Sequence, residues 1–119
     1  MTKPTLLVEV VFLSPEHGGR QAPPVLGTSA EYRPHLVVQD RSVRDAHMRG
    51  NVVDEEYLGV SFVEGPEKLD FGVPVSCLVR LNYFPEVGYA DLREGASFTV
   101  REGVRVVAHG TVLERRSAG

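Results

Sequence analysis

The side chains with the widest chemical repertoire in this sequence are its histidines and its one cysteine. No two histidines, and no histidine with Cys77, stand at the short spacings typical of a zinc site. Cys77 lies in the apolar run 75–79, which predicts a small buried hydrophobic residue better than a reactive thiol. For His109, on the last predicted strand, we expect a hydrogen-bonded or exposed role. We therefore predict no metal site and no cofactor.

Motifs that build catalytic or nucleotide-binding sites are not found. Gly18 and Gly19 are followed by no lysine and open no predicted helix, so they do not form a phosphate-binding loop. No serine has the Gly-x-Ser-x-Gly setting of a hydrolase. Glu64, Glu67 and Asp70 could act as general acids or bases, but no nucleophile or histidine lies close to them in sequence. We expect a protein that binds no nucleotide and is not an enzyme.

Length and composition predict a single globular domain over residues 1–119. The chain is 42% hydrophobic and 24% charged, and a domain of this size needs no disulfide or metal to fold. The net charge of −3 argues against a general nucleic-acid-coating protein, although thirteen Lys and Arg residues allow a local basic face. The start lacks the apolar stretch of a signal peptide, and no segment approaches the ~18 apolar residues of a membrane span. We expect a cytoplasmic protein without membrane contact.

Short runs rich in β-branched residues, separated by Gly, Pro and charged clusters, predict strands. The six runs are 5–13, 35–39, 57–63, 75–83, 96–101 and 104–113. In the first run, alternate side chains from Leu6 to Phe12 share one apolar face, because strand side chains alternate in direction. Residues 40–56 are polar and could hold one irregular helical turn around 43–49, and we expect 114–119 to be a frayed tail. The pattern predicts an all-β antiparallel barrel or sandwich.

Two groups of turn motifs flank this strand pattern. The first group reads Phe12-Leu13-Ser14-Pro15, then Gly18-Gly19-Arg20, then Tyr32-Arg33-Pro34-His35; the second reads Phe98-Thr99-Val100-Arg101-Glu102-Gly103 and closes with Gly110-Thr111-Val112. The glycine pair allows a sharp bend, from which the five donors of Arg20 can reach loop carbonyls or a carboxylate. Glu102-Gly103 predicts a tight hairpin turn, because glycine accepts a positive φ without strain. The alternative interpretation of these motifs is structural turn chemistry alone.

In order and approximate spacing, the motifs resemble the C-terminal domain of elongation factor Tu over almost the whole chain. That domain has a leucine-serine turn after its first strand, a Gly-Gly-Arg loop, a Tyr-Arg-Pro stretch and a final Phe-x-Val/Ile-Arg-Glu-Gly hairpin. The resemblance implies a six-stranded antiparallel β-barrel. The sequence contains no counterpart of the factor's GTPase domain or middle barrel, so the resemblance implies a non-catalytic binding module.

The resemblance also implies partners. In elongation factor Tu this barrel contacts the T-stem of aminoacyl-tRNA, the GTPase domain and the nucleotide-exchange factor. We therefore expect a protein partner, for which the translation machinery is the candidate source. The alternative is tRNA binding through backbone contacts, and a weaker alternative is small-ligand binding. The candidate binding residues are Arg20, Arg33, His35, Arg101, Glu102, Gly103 and Arg105.

Four features depart from the family pattern, and the loss of a cation at one of them weakens the tRNA interpretation. His35 stands in place of the usual glutamine, and Val104 in place of a second hairpin glycine. Phe84, before Pro85, replaces a basic residue, and phosphate affinity depends on the number of cations. The segment 40–56 is longer than its counterpart in the family, which allows a different partner.

Overall fold

A computed structural model describes residues 3–26 and 31–116 of the chain. Six strands close into an antiparallel barrel. The order around the barrel is β1-β6-β5-β2-β7-β8, and β3 and β4 form a separate two-stranded ribbon. The strands are β1 (Thr5–Phe12), β2 (His35–Val38), β3 (Met48–Arg49), β4 (Val52–Val53), β5 (Leu58–Glu64), β6 (Val75–Leu81), β7 (Ser97–Glu102) and β8 (Arg105–Arg116). The prediction of an all-β, six-stranded antiparallel barrel is confirmed.

The barrel interior is filled by the alternating apolar side chains of its strands. The four inward residues of β1 are fully buried: Leu6, Val8, Val10 and Phe12. At one end, the centroid of the Phe12 ring lies 6.0 Å from the centroid of the Phe62 ring and 6.1 Å from that of the Tyr32 ring. Tilted aromatic pairs at this separation add to the stabilisation from area burial. The core is therefore a continuous apolar filling closed at one end by aromatic rings.

The long final strand β8 bends around the barrel at two irregular positions. Its register against β1 shifts by one residue opposite Leu7/Val8, and its register against β7 shifts opposite Val100/Arg101. Such bulges increase local twist and help a strand to curve. Between the two shifts lies Gly110, where a Cβ would stand 2.4 Å from the carbonyl oxygen of Glu9 and 2.6 Å from the Phe98 ring. The neighbouring strand and a core ring thus pack directly on the backbone of β8.

Two predicted boundaries at the end of the chain need correction. Glu102 belongs to β7 and pairs with Arg105, so the two turn residues are Gly103 and Val104, with Gly103 at φ 61°. Residues 114–116 are not frayed, because they continue β8 and pair with residues 5–7 of β1. Residues 117–119 lie outside the described residues.

The predicted helical turn around 43–49 is wrong. Residues 48–53 form the β3–β4 ribbon instead, in which Met48 pairs with Val53 and Arg49 with Val52. Gly50 turns the ribbon at φ 62°. The helical structure in the described part of the chain is a 3-10 turn at Pro15–His17, and none of its helices is long and apolar enough to cross a membrane.

Replacement of Gly110 by alanine tests the close strand contact. We expect Gly110→Ala to lower the free energy of unfolding by about 3 kcal/mol, because the new Cβ would overlap a backbone oxygen that cannot move alone. Gly88→Ala is the matched control, since a Cβ there meets no atom within 4 Å, and we expect a change below about 0.5 kcal/mol. Urea denaturation measures both. Equal effects of the two substitutions would contradict the packing described.

Candidate functional site

The Gly18-Gly19 bend places Arg20 against the β7–β8 hairpin. Gly18 has φ 88° and its N–H donates to the carbonyl of Pro15 at 3.0 Å. Gly19 packs so tightly that a Cβ there would come within 1.8 Å of the carbonyl oxygen of Leu13. Both positions therefore require glycine, one for its backbone angle and one for space.

Arg20 and Tyr32 meet on the carboxylate of Glu102. The Nη1 of Arg20 donates to Glu102 Oε2 at 2.6 Å, and the Tyr32 hydroxyl donates to the same oxygen at 2.6 Å. The Arg20 guanidinium also lies 5.3 Å from the centroid of the Tyr32 ring. Burial, and then the Glu102 carboxylate, raise the pKa of Tyr32, so that its hydroxyl remains a donor. This geometry matches the expectation that Arg20 reaches back to a carboxylate.

Arg101, a predicted binding residue, is removed from the surface. Its Nη1 and Nη2 donate to Oε1 and Oε2 of Glu55 at 2.8 and 2.6 Å. The two side chains are 0% and 3% exposed. Burial alone would raise the pKa of Glu55, but the bonds from Arg101, the bond from the backbone N–H of His47 and the charge of Arg101 outweigh burial and hold that pKa below its usual range. The two groups therefore form a buried, bidentate ion pair.

The other donors of Arg101 are also bonded. Its Nε donates to the hydroxyl of Thr99 at 3.1 Å, and Nη2 donates to Oε1 of Gln39 at 2.8 Å. Its Nη1 also contacts the Tyr57 hydroxyl at 3.0 Å and the carbonyl oxygen of Val104 at 3.3 Å. Arg101 thus joins the β7–β8 turn to both ends of residues 39–57, which we call the strap.

A second arginine fastens the strap at its beginning. Arg41 donates from Nη2 to Glu9 Oε1 at 3.0 Å, from Nη1 to Thr111 Oγ1 at 2.9 Å and from Nε to His109 Nδ1 at 3.0 Å. These partners lie on β1 and β8. The bond to His109 confirms the hydrogen-bonded role expected for this residue. The strap therefore crosses the outer face of the barrel, which is why Thr99 is buried on that face.

The remaining candidate binding residues lie at different places on the barrel. Arg105 is exposed, with Nη1 3.5 Å from the Gly19 carbonyl oxygen, close to the Arg20–Glu102 pair and to Gly103. The exposed Arg33 has its Nε 3.7 Å from Glu31, which also pairs with Arg80.

His35 begins β2, opposite Arg101 in the ladder, and its ring centroid lies 5.8 Å from that of Tyr57. The structure therefore groups Arg20, Glu102, Gly103 and Arg105 at one turn, and it encloses Arg101.

An apolar surface that the sequence pattern does not predict lies beside this turn. Val53, Glu55, Tyr57 and Val104 line a shallow depression of about 270 Å³. Met48 pairs with Val53, so the two side chains share one face of the ribbon, and Met48 and Val104 are 46% and 56% exposed. We call Met48, Val53, Tyr57 and Val104 the hairpin patch. The features of the sequence that could have indicated this patch are Val104 at the hairpin turn and the apolar residues Met48 and Val53 inside the polar segment 40–56.

A further depression of about 380 Å³ lies between Val38 and the 91–96 segment. Its charged lining residues are Asp91, Arg93 and Glu94, so both signs of charge are present. In residues 3–26 and 31–116, no group of three or more His, Cys, Asp and Glu residues could hold a metal ion.

No protein-family model matches the chain, and no curated protein is significantly similar to it in sequence. The similarity to the C-terminal domain of elongation factor Tu thus stays a prediction from the motifs within residues 12–35 and 98–112.

Truncation of Arg101 tests the buried ion pair. We expect Arg101→Met to cost about 3–5 kcal/mol of unfolding free energy, because Glu55 is left as an unpaired buried charge. Arg20→Met is the control, since its pair with Glu102 is about one-third exposed, at 32% for each side chain, and we expect a loss of about 1 kcal/mol or less from the pair. Chemical denaturation distinguishes the two. A loss below about 1 kcal/mol for Arg101→Met would be inconsistent with the network.

Proposed function

We propose that this chain is a non-catalytic protein-binding module, similar to the C-terminal barrel of elongation factor Tu, and that the hairpin patch is its docking surface. The observation that carries the proposal is the group of apolar side chains at the β7–β8 turn and the β3–β4 ribbon, of which Met48 and Val104 are exposed and Val53 and Tyr57 are half-buried. Contiguous exposed apolar surface is typical of sites where another protein binds. The motif resemblance supports a partner in the translation machinery.

The support beneath the patch favours binding without rearrangement. Arg101 holds the Tyr57 hydroxyl and the Val104 carbonyl, and Glu55 fixes Arg101 in turn. The guanidinium lies 5.6 Å from the centroid of the Tyr57 ring, which packs over it. Side chains and turns that are already ordered lose less conformational entropy when a partner binds. The patch is therefore suited to act as a preformed contact surface.

The alternative of tRNA binding has weaker support from the same contacts. Phosphate binding requires cationic side chains that are free to contact the phosphate groups of the RNA. Of the four arginines among the candidate binding residues, Arg101 is enclosed with Glu55, and Arg20 pairs with Glu102. Arg33 and Arg105 are exposed, and they would be the cations of an RNA contact.

A single charge placed in the patch tests the proposal. We expect Val104→Asp to weaken partner binding at least tenfold, or about 1.4 kcal/mol, because an aspartate would have to be desolvated in the contact. Val52→Asp is the matched control: Val52 is 68% exposed but pairs with Arg49 on the opposite face of the ribbon. We expect this control to bind like the wild type.

The measurement is quantitative affinity capture from cell lysate with the wild type and both variants, followed by calorimetric titration of any captured protein. Total tRNA is titrated in parallel at about 50 and 200 mM salt, where phosphate contacts would show affinity falling steeply with salt. Equal capture by wild type and Val104→Asp, or capture of no specific protein, would overturn the docking surface. Salt-dependent tRNA binding would favour the alternative.

A further inference from the structure

Arg41 attaches the first half of the strap to the barrel, and one of its three partners there is a histidine that must be uncharged. Nδ1 of His109 accepts the Nε–H of Arg41 at 3.0 Å. An imidazole nitrogen accepts only through a free lone pair, so the ring proton of His109 lies on Nε2. A protonated His109 carries hydrogen on both nitrogens, and Nδ1 would then oppose a donor with a donor.

The charges that face His109 come from two elements. Arg41 and Arg44 approach from the strap, and Glu9 approaches from β1. On β7 the residue opposite His109 is the uncharged Thr99. Burial first, and then the two arginines, lower the pKa of His109 from its ordinary 6.5, while Glu9 opposes them. The neutral form is thus the form that the folded strap selects.

We propose that the strap is a pH-sensitive latch: proton uptake by His109 breaks its bond with Arg41, and residues 41–46 leave the barrel wall. The stabilisation from a neutral His109 is complete above the pKa of the unfolded chain, near 6.5, and is lost as the pH falls through the lower pKa of the folded chain. The latch therefore opens on the acid side of neutrality.

The far end of the strap stays fastened over the same pH range. The pKa of Glu55 is held below its usual range, so its ion pair with Arg101 persists while His109 takes up a proton. Within the strap, Nε2 of His47 lies 3.8 Å from Oδ2 of Asp54. Opening is thus confined to the first half, and the β3–β4 ribbon keeps its place.

This latch goes beyond the proposed function and does not rest on it, because the position of the strap is measured without a partner. The experiment records backbone ¹⁵N order parameters and imidazole ¹⁵N spectra at about pH 7.5 and about pH 5. For the wild type we expect order parameters of residues 41–46 to fall from about 0.85 to below about 0.6, with the barrel strands unchanged. The spectra should show the Nε2–H tautomer of His109 at the higher pH and the cation at the lower.

Two variants separate the latch from general acid loosening. In His109→Gln the side-chain oxygen can accept from Arg41 but does not titrate, so we expect residues 41–46 to stay ordered at both pH values. His47→Gln removes the histidine that lies within the strap itself, and we expect this variant to loosen like the wild type.

Four results would overturn the latch: order parameters that do not change with pH, a neutral His109 at about pH 5, the Nδ1–H tautomer, or a His109→Gln strap that still loosens only in acid. The latch would be supported if residues 41–46 of the His109→Gln variant are loose at both pH values while those of the wild type loosen only in acid. Loss of the acceptor alone would then free the strap.

Discussion

The buried ion pair of Arg101 and Glu55 constrains the rest of this structure. A guanidinium and a carboxylate without water are tolerated only when their geometry is good and their remaining donors and acceptors are bonded. In the described part of the chain no buried side-chain nitrogen or oxygen lacks a partner, and Arg101 achieves this through the strap, β7 and the β7–β8 turn. Breaking such a pair is costly because one charge is left buried and unpaired, so the strap is held where both partners meet. The hairpin patch exists because this position is fixed.

How much could be predicted from the sequence depends on the distance over which each interaction acts. The barrel strands follow from local alternation, as in the buried face from Leu6 to Phe12. The bend at Gly18-Gly19 and the reach of Arg20 also follow from local residue types. Arg101 and Glu55 are 46 positions apart, and an arginine on the outer face of a strand has the pattern of a solvated residue. Only the tertiary position of the strap shows that this arginine is enclosed.

Short and terminal elements were missed for related reasons. The strands β3 and β4 have two residues each, too few to give a periodic pattern, and only the turn at Gly50 marks them. The last residues of β8 are charged and have low strand propensity, yet residues 114–116 pair with the beginning of β1. Closure of the barrel requires the first and last strands to meet, so tertiary pairing outweighs the local preference at this end.

The two attachments of the strap differ in their access to water, and this difference separates their roles. Arg101 and Glu55 are almost completely enclosed, whereas the Arg41 and Glu9 side chains are 28% and 39% exposed and share their contact with a titratable ring. Salt and protons act weakly on the first attachment and more strongly on the second. The hairpin patch lies at the enclosed attachment. A movement of residues 41–46 would therefore uncover the barrel wall at Glu9 and Thr111 and leave the hairpin patch in place.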